Sequence, residues 1–136
     1  MSKFFSTNPV YQNEGLTLLR IIVGAFMIYH GYEVFSEAKM NEYLQWDMFK
    51  TGSGKTMVYL GKGTEFVAGI TLALGLLTRL SAVILAGTMA YIAFFVGHGK
   101  IWHEDQYPFL FVLLALVFLI MGGGPYSLDH YFSKKR

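Results

Sequence analysis

Two stretches of this chain, LSAVILAGTMAYIAFFVG at residues 80–97 and YPFLFVLLALVFLIMGGG at residues 107–124, contain no charged residue. A helix in a soluble bundle must present a polar face to water, and neither stretch has one to present. Residues 16–35 and 57–77 form two further apolar runs. All four have about the 17 to 25 residues that cross roughly 30 Å of hydrocarbon at 1.5 Å per residue. Apolar residues make up 54% of the 136 residues against 15% charged, and their clustering into four runs leaves no room for a second domain. The expected fold is an all-α membrane protein: a four-transmembrane-helix bundle forming one integral domain over residues 1–136, with helices near 16–35, 57–77, 80–97 and 107–124.

The first run does not read as a signal peptide. Only Lys3 precedes it, Arg20 sits inside it, and no small-x-small cleavage site follows His30. Between the first two runs, MNEYLQWDMFK places Met40, Tyr43, Leu44 and Met48 at helical spacing, with Trp46 and Phe49 alongside. That pattern suits a short helix lying in the membrane interface, with an ordered loop as the alternative.

Four spans put both termini on the side of the 2–3 turn, with Lys3, Arg79, Lys134, Lys135 and Arg136. Lys39, Lys50, Lys55 and Lys100 fall on the other side. The compact basic tail assigns the termini to the cytoplasm.

Residues 57–77 carry Lys62 and Glu65. An ionised group near the bilayer centre costs roughly 2.5 to 3.5 kcal/mol on insertion scales, so intramembrane charges are paired and commonly functional. Counting 1.5 Å per residue from each midpoint, His30 and Lys62 lie roughly 7 Å and Glu65 about 3 Å to the outer side, with His98 near the rim. Arg20 lies about 7 Å to the inner side, within reach of Glu65 if its side chain extends upward. Glu65, Gly69 and Ala73 share one helix face, so the acid points into the bundle beside small residues that admit a neighbouring helix. The reading is a buried polar cluster centred on Glu65 with Arg20, Lys62 and His30, and with His98 as a further candidate, serving a ligand, a proton or an electron-linked reaction; a structural ion pair is the alternative, and Lys62 has the option of snorkelling outward. Gly24, Gly31, Gly69 and Gly75 are the candidate helix-packing positions.

Other signals carry less. GSGKT at residues 52–56 lacks the glycine a phosphate-binding loop needs at position 49, which is Phe49, and has no preceding strand. His30 and His98 as haem ligands would lack any supporting motif. His103, Glu104 and Asp105 read as a solvated acidic turn, so no metal site is expected. With no cysteine, thiol relay chemistry of the vitamin K epoxide reductase kind is excluded.

LLRIIVGAFMIYHG with Arg20, His30 and Gly31, the Glu65 helix followed by GITLALGLLTRLSA, and GGGPYSLD near the end resemble the DoxX family of small bacterial membrane proteins, over about residues 15–130. GLLTRL and GPYSLD are the most specific parts. Many relatives have a lysine just after the His-Gly, where this chain has Glu33 and Val34. The resemblance implies a multi-pass inner-membrane protein, in some members a subunit of a quinone-linked sulfur-oxidising enzyme and in others part of a complex handling oxidative stress. It carries over Arg20, His30, Gly31, Glu65, Gly69, Gly75, Arg79, Gly124, Ser127 and Asp129, with Arg79, Ser127 and Asp129 at the cytoplasmic boundary and an Arg79–Asp129 pair as the expected lock.

The expected function is therefore an accessory redox subunit sheltering a quinone, with no covalent cofactor. A non-catalytic scaffold is the alternative and a proton-coupled transporter a distant third. Whether the chain is itself an enzyme stays open. Its expected partners are the lipid bilayer and other membrane or redox subunits, or further copies of itself, and no nucleic acid.

Overall fold

The computed structural model describes residues 4–46, 49–50 and 52–134. Lys3, Lys135 and Arg136 of the orientation argument and Met48 of the interfacial stretch lie outside the described residues. Every regular element among those described is helical. Helix α1 (Gln12–Gly31) runs on through a 3₁₀ turn, Tyr32–Phe35. Ser36 then caps α2 (Glu37–Leu44), its hydroxyl accepting the Lys39 N–H at 3.4 Å. Helix α2 ends earlier than the aromatic pattern suggests. Beyond Leu44, the Trp46 N–H bonds Tyr43 O and the Phe49 N–H bonds Trp46 O, and Phe49 joins Met40 and Val58 in a small apolar cluster.

Helix α3 (Gly54–Leu74) begins before its apolar run and stops short of the run's end. Gly75 is the reason: at φ 72° it adopts the left-handed conformation, while its N–H bonds Leu72 O and that of Leu76 bonds Thr71 O. This is the two-bond Schellman ending, which favours glycine. Helix α4 (Thr78–Tyr91) continues through one π turn, Ile92–Val96. Helix α5 (Gln106–Met121) closes at Gly122, φ 74°, so the three glycines of the fourth run are not helical. A short α6 (Leu128–Lys134) follows.

Two of these segments among the described residues, Gln12–Phe35 and Thr78–Val96, are long and apolar enough to cross a membrane by themselves. Helix α3 has 21 residues but carries Lys55, Lys62 and Glu65. Helix α5 has 16 residues, about 24 Å of rise.

Helix α1 packs chiefly on α3, and α4 on α5, with α3 and α4 joining the two pairs. The first pair meets through glycine. A Cβ on Gly24 would lie 2.7 Å from both the Ala73 Cβ and the Gly69 carbonyl oxygen, and one on Gly31 would run into the Phe66 backbone. Small residues let two backbones approach this closely. Val23 and Met27 of α1, Leu72 of α3, Leu85 of α4 and Phe118 of α5 fill the space between the four long helices.

Candidate functional site: a charged cluster beside a half-open cavity

The glycine contact fixes the register of α1 on α3, and the register decides where each charge goes. Residue 24 meets 69 and 73, while residue 31 meets 66, so the helices run antiparallel and Arg20 faces the C-terminal end of α3. The sequence spacing allows Arg20 to reach Glu65; in the structure it does not. Its Nη1 donates to Leu72 O at 3.0 Å and Ala73 O at 2.9 Å, and its Nη2 to Tyr126 O at 2.9 Å. Those α3 carbonyls lie seven and eight residues past Glu65, about 10 to 12 Å along the helix. The last carbonyls of a helix lack intrahelical donors and carry the negative end of its dipole, which draws a cation there. Arg20 is 1% exposed, and a side chain on Gly75 would collide with it.

The other boundary residues do similar work. The Asp129 carboxylate accepts the Leu77 and Thr78 N–H groups at 2.6 and 2.8 Å, capping α4 from a distant part of the chain, and the Asp129 N–H donates to Gly75 O. Arg79 donates through Nε to Leu119 O at 3.0 Å and through Nη2 to Ile120 O at 3.4 Å, at the end of α5. The expected Arg79–Asp129 ion pair is not formed among the described residues, because each side chain goes to a helix end of the opposite polarity. Ser127 Oγ donates to Gly124 O at 2.6 Å and holds the turn into α6.

Glu65 lies midway along α3 and is 3% exposed. Lys62, one turn earlier, bends inward and does not snorkel: its Nζ is 3.4 Å from Glu65 Oε2 and 3.3 Å from Glu33 Oε2. The Tyr43 hydroxyl donates to the same Glu33 oxygen at 2.5 Å, and the Lys62 ammonium sits 4.8 Å from the Tyr43 ring centroid. Burial first, and then the bond to Glu33, raise the Tyr43 pKa above its ordinary value. His30 is exposed, lies within electrostatic range of Lys62 and Glu33, and faces the same space.

Glu33 and Tyr43 are the members that sequence reasoning missed. Glu33 stands out there only as a departure from the family pattern, although a lysine at similar depth needs a counter-charge. His98 lies outside the cluster, exposed in the turn after α4. Its N–H and that of Lys100 donate to Asp105 Oδ2 at 2.9 and 3.0 Å, bonds that hold the Asp105 pKa below the usual carboxylate range.

Beside the cluster opens a cavity of about 640 Å³ with Met27, Val58, Met89 and Phe111 among its apolar walls, and Glu65, Lys62 and His30 at its polar side. Two glycines help to make it. Gly61 and Gly87 line it from α3 and α4, and a Cβ on either would meet nothing within 4 Å. A helical glycine costs about 0.8 to 1 kcal/mol relative to alanine. At Gly24, Gly31 and Gly69 close packing offsets that cost. At Gly61 and Gly87, as at Gly63, no such packing offsets it. Volume, apolar lining and a few convergent polar groups are the ordinary properties of a small-molecule site.

The DoxX family model matches residues 15–98. A Haemophilus influenzae protein described as uncharacterized is 34% identical over 136 residues, an alignment covering 92% of this chain and 96% of the relative. No solved structure matches the chain.

Proposed function

The chain belongs to the DoxX family of membrane proteins, and from that premise we propose that it is an accessory subunit of a quinone-linked membrane redox complex, its cavity sheltering a quinone-sized ligand. In this reading α1, α3, α4 and α5 span the bacterial inner membrane with both termini in the cytoplasm, and further subunits complete the electron path. The observation that carries it is the half-open apolar cavity of about 640 Å³ with Glu65, Lys62 and His30 on one side. The residues fit such a ligand: aromatic and aliphatic walls suit a ring and its tail, and the polar side suits ring oxygens. A quinone bound there would supply the electron-carrying chemistry, while the chain binds and orients it.

The second reading, a scaffold without a ligand, draws on the opposite end, where Arg20, Arg79 and Asp129 are spent on helix termini. The two readings separate on what accompanies the protein. Gentle purification from its own membrane, followed by mass spectrometry of the lipid extract, should recover a quinone with the parent and much less with Gly87→Trp, which places an indole in the cavity. Partner subunits recovered equally with both proteins, and no lipid-soluble molecule above membrane background with either, would favour the scaffold.

A further inference from the structure

The hydrogen-bonding capacity of the cavity is lopsided. Thr64 and Thr88 line it, but each hydroxyl proton is committed to its own helix, Thr64 to Leu60 O at 2.6 Å and Thr88 to Ile84 O at 2.8 Å. Their remaining capacity is as acceptors. The Tyr43 proton goes to Glu33. Lys62 divides its ammonium between Glu33, Glu65 and the face of the Tyr43 ring.

Glu65 is different. Lys62 engages its Oε2, whereas Oε1 has no hydrogen-bond partner among the described residues and is not sealed from the open space. A carboxylate oxygen only accepts. The wall donors not committed in this way, the ring N–H groups of His30 and Trp46 and the hydroxyls of Tyr91 and Tyr107, belong to exposed residues. The deep polar side of the cavity is therefore acceptor-rich.

We propose that the cavity selects a head group that donates hydrogen bonds, a hydroxyl-bearing phenol or hydroquinone, over one that only accepts them, with Glu65 Oε1 taking the hydroxyl proton's hydrogen bond. The proposal rests on the cavity being the ligand site, and it specifies which redox form occupies that site. The hydrogen bond that the donor makes and its ether cannot make sets the preference at up to about tenfold.

The test compares three probes with one tail: an alkyl hydroquinone kept reduced under anaerobic conditions, its quinone, and its dimethyl ether, which keeps the shape and removes both donors. Each is titrated into the protein in nanodiscs. The hydroquinone should bind saturably and several-fold, up to about tenfold, more tightly than the other two, and Glu65→Gln should erase most of that preference while retaining binding. The comparison among probes is made on the parent protein, so it stands even if the variant folds poorly. Equal affinities in the parent, with all binding lost in Gly87→Trp, would overturn the donor preference and leave the cavity as a ligand site. A preference undiminished in a folded Glu65→Gln protein would overturn the role of Glu65. Unsaturable partitioning of all three probes would remove the ligand site itself and this inference with it.

Discussion

The two ends of the bundle treat charge in opposite ways. At one end Arg20 and Arg79 donate to the carbonyls that finish α3 and α5, and Asp129 accepts the N–H groups that start α4. Each charge meets a backbone dipole, and the residues around them are held by turns that need glycine. At the other end Glu33, Lys62 and Glu65 are paired with one another through one oxygen of each carboxylate, beside a cavity and with the second oxygens unpartnered among the described residues. Charge spent on helix ends fixes the chain path. Charge grouped with charge at the edge of open space leaves capacity for something that is not protein.

The largest expected effect lies at the capped end. Arg20→Ala removes three charge-assisted hydrogen bonds, those to Leu72, Ala73 and Tyr126 carbonyls, so thermal unfolding in detergent should register a loss of about 3 kcal/mol. Arg20→Lys should recover little, because one ammonium does not reproduce the planar fork. If Glu65→Gln proved the more damaging change, the contrast between the ends would be reversed. That substitution still leaves Lys62 paired with Glu33.

Next in size is the glycine seam. Gly24→Ala forces a methyl against Ala73 and the Gly69 carbonyl and should cost about 1 to 3 kcal/mol, as overpacking does. Asp129→Ala uncaps α4 and should cost about 0.5 to 2 kcal/mol, with Asp129→Asn milder. At the cavity the sign inverts: Gly61→Ala and Gly87→Ala meet no atom within 4 Å and should stabilise the protein by up to about 1 kcal/mol through helix propensity. Destabilisation by either alanine would mean that those glycines pack against something, weakening the argument that they exist to leave space.

The smallest effect is local and pH-dependent. The Asp105 carboxylate has its pKa lowered by the His98 and Lys100 N–H groups, so its contribution is fully present above the ordinary aspartate range near 3.9. It is lost as pH falls through the depressed value in the folded chain. Hydrogen-exchange protection of those two amides should fall in acid, and Asp105→Asn should remove that dependence.

How much of this was legible beforehand follows from what leaves a mark in sequence. Uncharged runs mark helices directly, and GLLTRL lies within the residues that the family model matches, whereas GPYSLD lies beyond them. Helix ends were less visible: α3 finishes at Leu74 because Gly75 turns left-handed, even though apolar residues continue to Leu77. The destination of Arg20 was hidden because carbonyls at a helix end exist in every sequence and show in no spacing. Only the α1–α3 register, set by Gly24 against Gly69 and Ala73, chooses between those carbonyls and Glu65. Glu33 escaped notice because it follows α1 in a 3₁₀ turn, where helical spacing no longer predicts its facing. The cavity itself is an absence of side chains, visible only once Gly61 and Gly87 are placed on facing helices.

The difference between the two ends is tested most directly by ligand-linked stability. Unfolding temperatures of the parent, Asp129→Ala and Gly87→Trp should be measured in nanodiscs with and without a saturating alkyl hydroquinone. A ligand held only by the folded state at about 100 times its Kd adds roughly 2.7 kcal/mol. The account predicts an equivalent ligand-induced stabilisation for the parent and Asp129→Ala, whose defect lies at the capped end, and none for Gly87→Trp. Equal stabilisation of all three proteins, or of none, would contradict it.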